Sequence, residues 1–151
     1  MDKGDHKSPA FLAKNPLGKV PVLDTPSGPI FESGAIARYV ARLRSDANLL
    51  GASFYQQAQV DQWIDFGANE VEPARGILFY PLVGYLQFND KAASEAKKEL
   101  TTALNVLNGH LANNTFMVGN AITLADISIV AALGQRNTQH TPLAPPRQGC
   151  I

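Results

Sequence analysis

The chain has 151 residues, of which 13 are basic and 13 acidic, so its formal net charge at neutral pH is zero. This balance, without any long basic run, disfavours direct binding to nucleic acid or to a membrane surface. Cys150 is the only cysteine, which excludes an intrachain disulfide and a cysteine metal cluster and fits a reducing compartment. The polar N-terminus does not resemble a signal peptide, and no run approaches the roughly 18 apolar residues of a membrane span. We therefore expect a cytoplasmic protein.

The first predicted elements are a short helix and a strand. Ser8 as N-cap and Pro9 at the first helical position predict the helix, which should end near residues 15–16. Residues 19–23 are rich in β-forming side chains and predict the strand. Pro21 cannot donate to a ladder, so this strand belongs at an edge, where it could pair with an extended peptide. The alternative is an ordinary edge proline with a trans peptide bond.

A second strand and a helix start follow. Ile30 and Phe31 predict the strand, and Ser33 lies where an N-cap belongs, before apolar residues at helical spacing up to Leu43. Free N–H groups at a helix start bind carboxylates, and the carboxylate of Glu32 could accept from an ammonium group. These residues predict a site for a small extended peptide that carries both charges at one end. The alternative is that Ser33 only caps the helix.

The rest of the chain is predicted to be helical up to residue 133. Residues 46–53 interrupt the periodicity and predict a linker. The last predicted helix, at residues 122–133, is almost wholly apolar and should be central. Residues 134–151 predict a disordered or irregular tail. Pro73 should kink or end the helix that contains it. Two amphipathic stripes precede the apolar helix: Val60, Trp63, Ile64, Gly67, Val71 and Ala74, then Ala96, Leu100, Leu104, Leu107 and Leu111.

The sequence NPLGKVPVL at residues 15–23, with ESGAI at residues 32–36, resembles the glutathione-binding half of the thioredoxin-like domain in glutathione S-transferases. The resemblance implies that the Val20-Pro21 bond is cis and that the backbone of Val20 pairs with the cysteinyl part of glutathione. It implies that Glu32 and Ser33 hold the γ-glutamyl end. Lys19 and Pro21 are also counted among the expected glutathione-binding residues. Glutathione is thus the expected ligand or substrate, and no metal is expected.

A second match to the same family lies at residues 119–128. Thr123 is a predicted N-cap with Asp126 in the capping-box position, and Ile122 and Ile127 have the spacing of a hydrophobic staple. The resemblance implies that these four residues serve folding of the helical domain rather than catalysis.

Residues 59–66 and 69–74, together with residues 11–16 and 115–119, resemble the transferase-like domain of the elongation factor 1 gamma family. The resemblance implies a role in translation elongation, with the nucleotide-exchange subunit of the elongation factor 1 complex as partner, or a second copy of the chain in a homodimer. The alternative is a theta-like glutathione S-transferase that conjugates glutathione to electrophiles, because such enzymes share much of this helix.

The expected fold is α+β and mostly α: an incomplete thioredoxin-like domain at residues 1–45, a linker at 46–53, a helical transferase-type domain at 54–133 and a tail at 134–151. In the family a first strand, a helix and a second strand should precede Ser8, and the residue that stabilises the thiolate lies at the end of that first strand. We therefore assign no catalytic residue and expect a chain that is truncated, divergent after Leu133 and inactive as a transferase. Asp61 and Asp65 are interpreted as a solvated face rather than a metal or acid–base pair.

Overall fold

The computed structural model describes residues 4–134, so most of the predicted tail, with Cys150, lies outside the described residues. Within this range no helix is long and apolar enough to cross a membrane. Short 3-10 turns lie at Asp5–Lys7 and Ser45–Ala47. The other elements are α1 (Pro9–Leu12), β1 (Val22–Thr25), β2 (Gly28–Phe31), α2 (Ser33–Leu43), α3 (Phe54–Phe66), a π-helical segment (Gly67–Val71), α4 (Glu72–Phe79), α5 (Asp90–Leu111) and α6 (Leu124–Gly134). The predicted mixture of a small sheet and a helical part is confirmed.

The sheet is an antiparallel hairpin of β1 and β2 in which Val22 pairs with Phe31 and Thr25 pairs with Gly28. Two residues form the turn, and the Thr25 hydroxyl closes it by donating to the carbonyl of Gly28 at 2.6 Å. Helix α2 follows directly and contacts both strands. The hairpin and α2 together make up the β-β-α half that the sequence predicts.

The first long helical stripe is confirmed. Its six residues are all buried, and Val60 and Val71 are fully buried. Pro73 was expected to kink or end the first long helix, but the α-helical geometry already ends at Phe66, seven residues earlier. The chain continues there through the π-helical segment. Pro73 instead lies in the first turn of α4, directly after the π-helical segment.

The second stripe is confirmed only in part. Ala96 and Leu107 are buried, but Leu104 and Leu111 remain 42% and 44% exposed. In place of Leu104, its neighbour Ala103 is buried, and its small side chain is compatible with close packing of α5. The core consists of side chains from α2, α3, the π-helical segment, α5, α6 and the segment between the last two, and Trp63, Leu107, Met117 and Ile129 belong to it.

Helix α6 buries one face and exposes the other, in contrast to the uniformly apolar pattern of its sequence. Leu124, Ala125, Ile129 and Ala132 are buried, whereas Val130 is 67% exposed. The helix contacts α2, α3, the π-helical segment and α4. Its position among these elements agrees with the central place predicted for it.

The carboxylate of Asp126 fastens the start of α6 to the preceding loop. One oxygen accepts from both the backbone N–H and the hydroxyl of Thr123, each at 2.8 Å, and the other accepts from the N–H of Met117 at 2.8 Å. In a capping box, the side chain of the third helical residue accepts from the backbone N–H of the N-cap residue. Asp126 makes this bond to Thr123. Ile122 and Ile127 are 55% and 44% exposed, and their staple remains a prediction.

We expect Asp126→Ala to lower the free energy of unfolding by about 3 kcal/mol, because a hydrogen bond to a charged group contributes about 1.5–3 kcal/mol and a partly buried carboxylate is lost here. Chemical denaturation measures this change. Asp46→Ala is the matched control, because it removes an exposed carboxylate whose ion pair with Arg44 lies at the surface. Equal stability of the Asp126 variant and the control would contradict the anchoring role.

Candidate functional site

The loop that leads into β1 is shaped by the side chain of Asn15, which is 2% exposed. Its Nδ2 donates to the carbonyl of Lys19 at 2.7 Å, and its Oδ1 accepts from the N–H of Leu17 at 3.1 Å. Gly18 makes the turn between them with a φ of 59°, a backbone conformation that favours glycine. Asn15 is the first residue of the motif at residues 15–23, but no role was predicted for it.

The peptide bond between Val20 and Pro21 is cis, as the family resemblance implies, and the trans alternative is wrong. The predicted strand at residues 19–23 is wrong in its first three residues, because the ladder begins only at Val22. Two groups are unavailable to a ladder there: Pro21 has no N–H, and the carbonyl of Lys19 already accepts from Asn15. Lys19, Val20 and Pro21 are all exposed to solvent.

The start of α2 differs from the prediction. The N-cap position is held by Glu32, whose side chain makes no capping hydrogen bond, and Ser33 is the first helical residue. The chain turns abruptly from β2 into the helix at Glu32, with φ 71° and ψ 118°, while the carbonyl of Glu32 accepts from the N–H of Ile36 at 3.0 Å. A non-glycine residue with positive φ stores about 1–3 kcal/mol of strain, and such residues cluster at ligand sites.

The antiparallel register brings the two halves of the predicted site to one end of the hairpin. Because Val22 pairs with Phe31, Pro21 precedes that first pair and Glu32 follows it on the neighbouring strand. Glu32 and Ser33 are both exposed, as is the segment that contains Pro21. The five predicted glutathione-binding residues therefore share one accessible edge of the molecule.

A cation that the sequence analysis missed lies beside this edge. The Lys7 ammonium donates to the carbonyl of Leu17 at 3.3 Å and lies 2.8 Å from the point where a Cβ on Gly18 would be. Lys14, by contrast, forms an ion pair with Asp24 at 2.5 Å. The sequence gives little signal for Lys7, because it is 12 residues from the start of the predicted strand.

Asp61 and Asp65 do more than form a solvated face. Arg38 of α2 donates from Nε to Oδ1 of Asp61 at 2.5 Å and from Nη2 to Oδ1 of Asp65 at 2.8 Å. Burial alone would lower the pKa of Arg38, but hydrogen bonds and Coulomb attraction from the two carboxylates raise it above its ordinary value. Arg38 is therefore charged at neutral pH. We call its arrangement with Asp61 and Asp65 the Arg38 clamp.

A cavity of about 260 Å³ lies between the first turn of α2, the π-helical segment and α6. Its polar lining includes Ser33, Glu72 and Ser128, and the remainder is small or apolar. Ser33 thus faces both the exposed edge and this cavity. No cluster of three metal-ligating side chains occurs in residues 4–134.

We expect Glu32→Gly to raise the free energy of unfolding by about 1 kcal/mol, because glycine adopts positive φ without the strain and offsets only part of this gain by its greater entropy when unfolded. Thermal or chemical unfolding measures the change. Glu32→Gln is the control that keeps the backbone strain and removes only the charge. A Glu32→Gly variant no more stable than Glu32→Gln would show that the turn is unstrained.

The chain matches two family models, which describe the two domains of glutathione S-transferase. Residues 1–42 match the N-terminal domain of glutathione S-transferase, and residues 72–146 match its C-terminal domain. Among solved structures, glutathione transferase F2 from Populus trichocarpa is similar, with a TM-score of 0.79 and 28% identity over 86% of this chain and 64% of that one. A delta-class glutathione transferase from Nilaparvata lugens has a TM-score of 0.74 and 32% identity, over 86% of this chain and 60% of that one. The chain belongs to the glutathione S-transferase superfamily.

Within this superfamily the chain is similar to elongation factor 1-gamma proteins. It is 50% identical over 128 residues to the probable elongation factor 1-gamma 2 of Arabidopsis thaliana, which covers 85% of this chain and 31% of the relative. It is 46% identical over 131 residues to elongation factor 1-gamma-B of Xenopus laevis, over 85% of this chain and 29% of the relative. The chain thus spans about a third of the length of these relatives.

Proposed function

We propose that this chain is the transferase-like module of an elongation factor 1 gamma subunit and that it binds the nucleotide-exchange subunit of the elongation factor 1 complex. The observation that carries the proposal is the 46–50% identity to elongation factor 1-gamma proteins from plants and a frog over 85% of the chain. This role would place the protein in the cytoplasm, with residues 1–45 and 54–133 as its two units and residues 46–53 between them.

An exposed apolar surface supports a role in protein binding. The connection between α4 and α5, at residues 80–88, exposes Leu82 by 78%, Tyr85 by 77% and Phe88 by 63%. Tyr80 and Tyr85 pack edge to face with their ring centroids 6.2 Å apart, which gives the surface a defined shape. Several large apolar side chains exposed in one short segment are typical of interaction sites. We propose it as the contact for the partner subunit.

We expect the purified nucleotide-exchange subunit to be retained by this chain in a pull-down and Leu82→Glu to weaken the retention by about tenfold or more, because a buried unpaired charge at an interface is costly. Val130→Glu is the control, since Val130 is similarly exposed on α6. Retention lost only in the control would move the contact to α6. No retention by the wild-type chain, with sedimentation as a dimer, would favour a second copy as the partner.

We further propose that Lys19, Val20, Pro21, Glu32 and Ser33 form a glutathione-binding half-site. The backbone of Val20 precedes the ladder and is free to pair with an extended peptide, while the start of α2 offers N–H groups to a carboxylate. The carboxylate of Glu32 accepts from the γ-glutamyl ammonium. Lys7, which donates to the carbonyl of Leu17 beside this edge, supplies a cation for the glycine carboxylate of the tripeptide.

We expect Ser33→Ala to weaken binding of glutathione by about fivefold to tenfold, because one hydrogen bond to a charged group is removed. Retention on immobilised glutathione and titration calorimetry both measure this effect. Ser27→Ala, in the exposed hairpin turn, is the matched control. If the two variants bind glutathione equally, Ser33 is not part of the half-site.

A theta-like glutathione S-transferase remains the second candidate, and one observation favours it. The cavity of about 260 Å³ that Ser33 borders could hold a small electrophile beside bound glutathione. Conjugation of glutathione to a chromogenic electrophile, together with no retention of the exchange subunit, would reverse the preference. Retention of that subunit without conjugation supports the elongation factor role.

A further inference from the structure

The Arg38 clamp connects two parts of the chain that contain different functional elements. Arg38 lies on α2, five residues after Ser33, while Asp61 and Asp65 lie one helical turn apart on α3. The side chain of Arg38 is 19% exposed, against 46% and 65% for the two carboxylates. Within residues 4–134, these are the ion pairs that join α2 to α3. A planar guanidinium can bind both carboxylates at once, which a lysine ammonium does with less geometric specificity.

The third guanidinium nitrogen of Arg38 points to the first turn of α2. Its Nη1 lies 3.0 Å from the point where a Cβ on Gly34 would be, which is closer than ordinary van der Waals contact. Gly34 directly follows Ser33 and lies within the turn that Ile36 closes by donating to Glu32. The guanidinium therefore packs against the backbone of this turn while its other two nitrogens are fixed by α3.

We propose that Arg38 is a positioning residue for the ligand half-site: anchored on Asp61 and Asp65, it holds the first turn of α2, and with it Glu32 and Ser33, in the orientation that binds the ligand. The inference rests on the proposed glutathione half-site. It makes the affinity for glutathione depend on two carboxylates of α3 to which we assign no ligand contact. Binding at the hairpin edge is thereby coupled to the helical part of the chain.

The test compares variants that release the clamp by different routes. Asp61→Asn combined with Asp65→Asn keeps the shape of α3 and removes both charges, whereas Arg38→Lys keeps the charge and loses the fork. Arg38→Met removes the charge at similar length. We expect the dissociation constant for glutathione to rise by about fivefold to tenfold in the double variant and in Arg38→Met, with partial rescue in Arg38→Lys, as for other coupled sites.

A merely structural role would lower stability and leave the folded protein unchanged, so two readouts are taken below the unfolding temperature of each variant. The first is the dissociation constant from calorimetry, and the second is the NMR amide shift of Ser33 and Gly34 in the protein without ligand. Asp46→Asn is the control, since it breaks an Arg–Asp pair of the same type at the exposed end of α2. It should change neither readout.

Shifted Ser33 and Gly34 amides with weaker binding in the released variants support the inference. Unchanged amide shifts in the folded double variant overturn it, whatever the stability. If the wild-type chain does not bind glutathione, the proposed half-site fails, but the amide shifts still decide whether Arg38 positions the turn. If Arg38→Met does not fold, Arg38→Lys and the double variant give the same decision.

Discussion

The close packing of α6 against the π-helical segment is the constraint on which the rest of the structure depends. A Cβ added at Gly67 would lie 3.4 Å from Cδ1 of Ile129 and 3.5 Å from Cβ of Ala132, which is van der Waals contact, so the π-helical segment and α6 leave little space between them. A π-turn adds a residue to the helix and re-aims the side chains beyond it, and Val71 is fully buried there. Interiors packed this tightly transmit displacement rather than absorb it.

The half-site owes its geometry to this helical core more than to its own sheet. A two-stranded hairpin alone is marginally stable in water, so α2 must hold β1 and β2 in place. Helix α2 is held in turn by contact with α6 and by the Arg38 clamp on α3. The N–H of Leu124 donates to the carbonyl of Leu49 at 2.8 Å, so the connecting segment after α2 is fastened to the same helix. The geometry of the hairpin edge therefore depends on packing elsewhere in the chain.

Local periodicity predicted most of the fold, and its failures have a physical cause. The stripe around Val60 and Trp63 is right because large apolar side chains at helical spacing have no stable place except the core. In α5 the apolar pattern predicted Leu104 in the core, because a large apolar side chain gains most from burial. In the structure the smaller neighbour Ala103 is buried instead. The cap at Ser33 was misplaced by one residue, since no local preference favours positive φ at Glu32.

The residues of the candidate site could be proposed from a local motif, whereas the residues that support its backbone could not. Val20, Pro21 and Glu32 lie within a few residues of the motif that identifies them, so a short sequence pattern is enough to find them. Asp61 and Asp65 are 23 and 27 residues from Arg38, and their spacing fits a solvated face equally well. Only the docking of α2 on α3 distinguishes these readings. A local motif can therefore be recognised in a sequence while the residues that anchor its backbone lie far away in the chain and belong to no motif.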